Sequence, residues 1–290
     1  GNAQNLPPGM RKLLCADPGY LLVSQDLGQA ENRIVAYEAV EERMIAAFEQ
    51  GIDIHTQTGC LLRGVALSEV TDEIRDEGKS ANHGLNYGLG SINFALHYNV
   101  SVQKGKYIHA RYHSIYPGVK EWHRSIREEL SRNNMTLTNC FGRHRRFLNR
   151  WGTKLFEKAY DFKPQSGVAR IINQRGVCYL YYRQDLFAEV IFLNQVHDSI
   201  WYEIPLSAGL TQCVEWIRLV KQSLESPITI KGRTFHIPVD TNVGFTLDKK
   251  SMLEWKANKF DQASQEDIAM LRLLEAELSI FIIENGEQKC

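Results

Sequence analysis

Apolar positions along this chain follow two different periods. Residues 20–25 (Tyr-Leu-Leu-Val-Ser-Gln) form a short apolar run that predicts a buried strand ending at Asp26. From Ala30 to Gln50 the spacing becomes helical, with Ile34, Val35, Met44, Ile45 and Phe48 as core positions and Gly51 as the stop. Asp53-Ile54-His55-Thr56 opens another segment. Thr71 or Asp72 is placed to cap a further helix with acidic residues in its first turn, and that helix carries residues 75–87. Helix is expected over 101–133, broken at Tyr116-Pro117-Gly118, because proline has no amide hydrogen for the helical ladder.

Thr136–Phe147 reads as a short hairpin turning at Gly142-Arg143. Helix follows over about 153–186, then two strands at 189–193 and 199–204 with His197-Asp198 in the turn between them. A helix over about 207–225 and strands at 228–230, 234–237 and 242–246 complete the sheet. From Lys256 onward Ile268, Leu271, Leu274, Leu278 and Phe281 recur at helical spacing, a stripe read as packing on the sheet rather than as a partner surface. The fold class is α+β: a small sheet interrupted by a long helical insertion between Asp26 and Asp198.

A length of 290 residues admits one large domain or two, and 43% apolar with 23% charged residues describes a soluble globular chain. No apolar run reaches the roughly 18 residues of a membrane span, and no signal peptide is visible. The formal net charge of zero argues against indiscriminate nucleic-acid binding. The local distribution changes that picture. Between residues 143 and 158 stand Arg143, Arg145, Arg146, Arg150, Lys154 and Lys158, opposed only by Glu157. Such a patch can hold a phosphate backbone, although a solvated basic loop has the same composition. The six cysteines include no C-x-x-C pair, so neither a zinc site nor a secretory disulfide framework is expected, and a reducing cytosol is the default. The chain opens at Gly1 rather than Met, so preceding residues are expected in the gene product.

Three segments carry chemistry. Asp26 and Asp198 each border a strand-like run, where a rigid sheet can aim two carboxylates at one point. An aspartate after a strand is more often a turn or cap residue, so neither is decisive alone. Arg75, Lys79, His83 and Tyr87 are spaced by four, each advancing about 40° around a helix, and form one stripe of cations and rings. A guanidinium and an ammonium one turn apart suit phosphate oxygens, and rings suit a sugar or base. Paired carboxylates for divalent metals and a cationic helix face are the requirements of phosphoryl transfer from a triphosphate. His197-Asp198 also matches the pair found in metal-dependent phosphohydrolases, where it lies on a helix. Here it lies in a hairpin, which disfavours that alternative.

Together these segments resemble the three polymerase motifs of the A-family DNA polymerases, the DNA polymerase I type. Asp26, Gln29, Glu31 and Arg33 match the first motif, D-Y-S-Q-x-E-x-R; Arg75, Lys79, Gly84, Tyr87 and Gly88 match the second, R-x-x-x-K-x-x-x-F-G-x-x-Y-G; Gln195-Val196-His197-Asp198 matches Q-V-H-D-E. Gln4-Asn5-Leu6-Pro7, Asp53-Ile54-His55-Thr56, Tyr116-Pro117-Gly118 and Pro164-Gln165-Ser166-Gly167 resemble secondary elements of the family, the last its glutamine-bearing helix start. The resemblance covers about residues 1–255. It implies a right-hand palm sheet in two parts, 1–45 and 148–255, with helical fingers inserted at 46–147 and a helical tail at 256–290. It implies a template-directed DNA polymerase that adds deoxynucleoside triphosphates to a primer–template DNA with two Mg²⁺ ions, Mn²⁺ being a substitute.

Roles follow by position. Asp26 and Asp198 are implied metal ligands and catalytic residues, and Lys79 the proton donor to leaving pyrophosphate. Gln29, Glu31, His55, Arg75, Lys79, His83 and Tyr87 are implied nucleotide contacts, with Glu31 excluding a ribose 2′-OH. Asn5, Gln165, Gln195 and His197 are implied contacts to primer–template, and Arg143 is expected to bind DNA. His83 departs from the phenylalanine or tyrosine usual there, which predicts a pH response of incorporation between about 6 and 7.5. Ser199 departs from glutamate, and Asp161 stands where asparagine is common. The thumb and the exonuclease domains of the family have no counterpart here, so an N-terminal segment or a separate subunit is expected to supply the grip on DNA. A cytoplasmic location, bacterial or viral, is implied, with an organellar one open. The rival readings are a non-catalytic DNA-binding scaffold remnant of a polymerase and the phosphohydrolase.

Overall fold

The structure, a computed structural model, describes residues 8–255 and 268–285, so Gln4, Asn5 and the first part of the expected tail lie outside the described residues. Its strands among these residues are β1 Tyr20–Leu27, β2 Thr136–Thr138, β3 His144–Arg146, β4 Ile191–Val196, β5 Ser199–Pro205, β6 Ile228–Ile230, β7 Arg233–Phe235, β8 Val239–Gly244 and β9 Leu253–Trp255. Two compact units emerge. A sheet unit combines the residues up to Gly28 with Ala169–Ile228 and Phe235 onward, and a helical unit comprises Gln29–Val168 and Thr229–Thr234.

The sheet unit is built on one antiparallel sheet of order β4-β5-β1-β8-β9. β1 is central because its residues 21–25 are buried, and β5 is buried along its whole length. Side chains alternate across a strand, so Gln25 and Asp26 point to opposite faces. Gln25, fully buried, donates to the Ile217 carbonyl (3.0 Å) and to Thr241 Oγ1 (3.3 Å), and accepts from the Tyr202 hydroxyl (3.1 Å). That satisfied polar knot fixes β1 against the helix Leu210–Leu224, and with it the neighbouring Asp26. The expected hairpin is present: β4 and β5 meet at His197-Asp198, where His197 takes a left-handed φ of 52°.

The helical unit shows where periodicity alone misplaces boundaries. The single helix expected over Ala30–Gln50 is two, Ala30–Ala39 and Glu42–Glu49, separated at Val40 with φ 49°. The break turns Glu41 inward, where its carboxylate accepts from the amides of Arg43 (3.3 Å) and Gly118 (2.7 Å). The five core positions expected there are nevertheless all buried. Proline breaks the next pair as expected, giving Val102–Ile115 and Pro117–Arg132.

The helix expected over 153–186 instead runs as Thr153–Ile171, a wide turn Ile172–Val177, then Cys178–Tyr182 and Gln184–Phe187. Pro164 lies inside Thr153–Ile171, so Gln165 sits mid-helix rather than at a helix start. The tail helix Ile268–Asn285 packs within the sheet unit: Leu274 and Leu278 are fully buried, Phe281 stacks on Phe245 (6.0 Å), and Trp255 Nε1 donates to Glu277 (3.0 Å). No helix among the described residues is long and apolar enough to cross a membrane.

Candidate active site

In the sheet unit, Asp26 and Asp198 line one cavity of about 140 Å³, together with Ser24, His197, Ser199 and Lys249. The architecture brings them together from distant sequence: Asp26 pairs with Ser199 across β1 and β5, and the Leu27 amide donates to the Asp198 carbonyl (3.0 Å). Burial, and after it the Asp198 carboxylate, pushes the Asp26 carboxyl up to about 6, with Asp240 adding in the same direction. Asp240 faces Asp26 in register on β8. Lys249 works the other way, its Nζ standing 3.5 Å from Asp26 Oδ2.

Adjacent carboxylates that are costly to ionise together call for positive charge. The donors are hard oxygens, which suits Mg²⁺. Among the described residues no group of three or more His, Cys, Asp or Glu side chains converges as a metal cage. His197 lies at the mouth of the same cavity, and Gln195 sits on β4 opposite Ile200. One neighbour, Lys249, went unread in the sequence. Nothing in the local pattern marks Asp240 or Lys249, which reach Asp26 only through sheet register and a turn.

In the helical unit, Thr71 caps the helix Asp72–Asn86, its hydroxyl accepting from the Ile74 amide (3.4 Å). Gly78, Ala81, Asn82 and Leu85 face the core, leaving Arg75, Lys79 and His83 along the other side. Tyr87 closes the helix rather than continuing it. Its hydroxyl donates to Glu31 Oε2, joining the first and second motifs, and burial raises its pKa above the ordinary tyrosine value.

Asp53 is the hub that sequence reading did not assign. It caps the helix Ile54–Arg63 by accepting from the Thr56 amide (2.7 Å), and also accepts from Gln29 Nε2 (2.6 Å) and Arg75 Nη2 (2.9 Å). Its repeated acceptor role explains a carboxyl held below its ordinary value despite burial. Gln29 and Arg75 are thus held at one carboxylate, while Lys79 is exposed.

His55 is buried, its Nδ1 3.1 Å from Asn82 Nδ2, and burial lowers its pKa to about 4. It is a neutral ring at pH 7, not a cation. Its ring lies 5.5 Å from that of His83, whose pKa burial and Lys79 hold below 6.5. Protonation of the His83 ring is thus disfavoured relative to the ordinary imidazole on which the expected response between about 6 and 7.5 rests. His83, Tyr87, His97, Tyr98 and Asp161 line a second cavity of about 320 Å³. Burial, followed by Glu31, raises Asp161 to about 6, a role that the sequence did not signal. Of the remaining expected contacts, Gln165 is exposed on its helix, and Arg143 is exposed at the turn of the β2–β3 hairpin.

Comparison with known proteins identifies the family. The family model for DNA polymerase family A matches residues 2–249. DNA polymerase I of Caldicellulosiruptor bescii is 28% identical over 272 residues, covering 89% of this chain and 30% of that protein. A thermostable DNA polymerase I of Thermus thermophilus is 30% identical over 265 residues, covering 87% of this chain and 30% of its own length. The chain thus spans about a third of the curated relatives it matches. Among solved structures, the POL domain of Pol1 from M. smegmatis, in complex with DNA primer-template and dNTP, superposes with a TM-score of 0.75 at 24% identity, covering 86% of this chain and 45% of that one. The match to the family model spans well over half of the chain, and the chain belongs to DNA polymerase family A.

Proposed function

We propose that this chain is a template-directed DNA polymerase core that extends a primer 3′-OH with deoxynucleoside triphosphates. The observation that carries the reading is the Asp26–Asp198 pair in one cavity, with Asp26 pushed up to about 6 and in need of a cation. In this reading residues 1–45 and 148–255 are the palm, 46–147 the fingers and 256–290 a tail. Mg²⁺ ions held by Asp26 and Asp198, or Mn²⁺ in their place, would supply the charge that activates the primer hydroxyl and neutralises the phosphates.

The chain's own groups do the rest. Asp198, at a two-residue turn, and Asp26, in the central strand, are rigidly presented by main-chain hydrogen bonds. Arg75 exchanges its bond to Asp53 for triphosphate oxygens, where its fork gives orientation. Lys79 Nζ, exposed on the same helix face, donates a proton to leaving pyrophosphate. Glu31, held by the Tyr87 hydroxyl, lies against the sugar and rejects a 2′-OH, which would be left without a partner. His55, as a neutral ring, donates one hydrogen bond to a phosphate instead of contributing charge.

Primer extension with Mg²⁺ and all four deoxynucleotides tests the reading. Asp198→Ala is expected to lose roughly a thousandfold or more of the extension rate, the scale of several kcal/mol of transition-state stabilisation. Extension unchanged in that variant overturns the site, and duplex binding without any extension in the unaltered chain favours the scaffold.

A further inference from the structure

Between Arg143 and Lys158 the helical unit carries surface that the catalytic reading does not use. Four of the five tryptophans of the chain are buried, Trp122, Trp201, Trp216 and Trp255 being at most 6% exposed. Trp151 is 56% exposed. Leu148, three residues earlier, is 89% exposed. An indole left in water forgoes the burial that makes tryptophan favourable in a core, and its neighbours in sequence are rich in cations. Its ring is held at one side by an edge contact to Phe156 (5.1 Å, 88°).

Within eight residues of it in sequence, Arg143, Arg145, Arg146, Arg150, Lys154 and Lys158 are all exposed. None of the six forms an ion pair among the described residues, although ion pairs join other arginines and lysines of the same unit, such as Arg124 and Lys163. Arg145 lies over the Phe147 ring (4.8 Å), so the hairpin that carries three of these arginines is anchored by packing. Exposed cations outside any ion pair, interleaved in sequence with an exposed aromatic ring, are the physical elements of a single-strand groove: charge tracks the backbone, and the ring takes a base face. A duplex offers the charge but keeps its base faces covered.

We propose that Trp151, flanked by the cations of residues 143–158, is a stacking platform for an unpaired base of single-stranded DNA. Binding here needs neither the carboxylate pair nor a nucleotide, and only the identification of the strand as template rests on the polymerase reading.

The burial of the other four tryptophans makes the test direct. The full chain, without Mg²⁺ or nucleotide, is titrated with oligo(dT) of about 12 nucleotides while intrinsic tryptophan fluorescence is followed. Quenching is expected, and it should vanish in Trp151→Ala along with roughly tenfold of the affinity measured by anisotropy of a labelled oligonucleotide. Trp151→Phe should keep most of that affinity, because a phenyl ring still offers a base a stacking face. The double variant Arg146→Ala, Arg150→Ala should flatten the slope of log affinity against log salt by about 0.7 per lost contact. Quenching that persists in Trp151→Ala, unchanged affinity in that variant, or equal quenching by a duplex of the same length overturns the proposal. Absent extension with Trp151-dependent binding intact would sink the polymerase reading alone. Extension without such binding would sink this one alone.

Discussion

At Asp26 the fold accepts a local cost. Its carboxyl is raised from 3.8 to about 6 by burial first and by Asp198 second. The folded protein therefore holds a proton there that the unfolded chain has already released, and this contribution to stability falls as pH rises from about 4 to about 6. Metal-free Asp26→Asn should lack that slope and be more stable at pH 7 by about 1–2 kcal/mol, a value reduced for partial solvent screening. Urea melts at pH 4.5 and 7 for both chains check this, and a parallel slope in the variant refutes it. His83 has the opposite sign, since its folded pKa lies below 6.5. A charge-dependent limb in nucleotide affinity is expected only below about pH 6.5, and His83→Phe should lose it while matching the parent at pH 7.5. Which residues are candidates for the chemistry was legible at this scale because motif spacings are local. Their partners were not: Asp53, Asp161, Asp240 and Lys249 act through burial and register, which no single-sequence spacing encodes.

Among the elements, the Asp72–Asn86 helix shows how composition sets a binding face. It crosses the helix Ile54–Arg63 at a close approach in which glycine faces glycine. A methyl on Gly78 would run into the His55 carbonyl and lie 2.5 Å from the Gly59 amide nitrogen. The absent side chains let the Arg75–Lys79–His83 side stay outward while His55 and Asn82 meet at 3.1 Å. Gly78→Ala should cost about 3 kcal/mol or more, since backbone cannot yield as a flexible side chain can. Chemical denaturation reads the loss, and a variant within 0.5 kcal/mol of the parent would show that the helices separate freely. The sequence predicted this helix, a cap at Thr71 or Asp72 and its outward stripe, because capping and period are local properties. It missed the break at Val40, which arises from a tertiary bond between the buried Glu41 carboxylate and the Gly118 amide.

Across the whole molecule, the sheet unit is assembled from three separated stretches of chain. Its strand order β4-β5-β1-β8-β9 puts the earliest strand in the middle, so β1 cannot complete its ladders until residues beyond 199 have arrived. The α+β class and the long helical insertion were readable from alternating periods, whereas the order of strands was not, because pairing partners lie far apart in sequence. The last stretch bears directly on stability. Leu274 and Leu278 are fully buried, one helical turn apart, within the unit that holds Asp26 and Asp198. Truncating a buried leucine removes its transfer free energy and leaves a cavity, so Leu278→Ala should cost about 2–5 kcal/mol. If the stripe instead served a partner, the isolated chain would barely register the change. A denaturation midpoint unchanged in Leu278→Ala would therefore reassign the tail from core to interface. A lowered midpoint, with nucleotide binding retained below the transition, would establish the tail helix as structural support for the sheet.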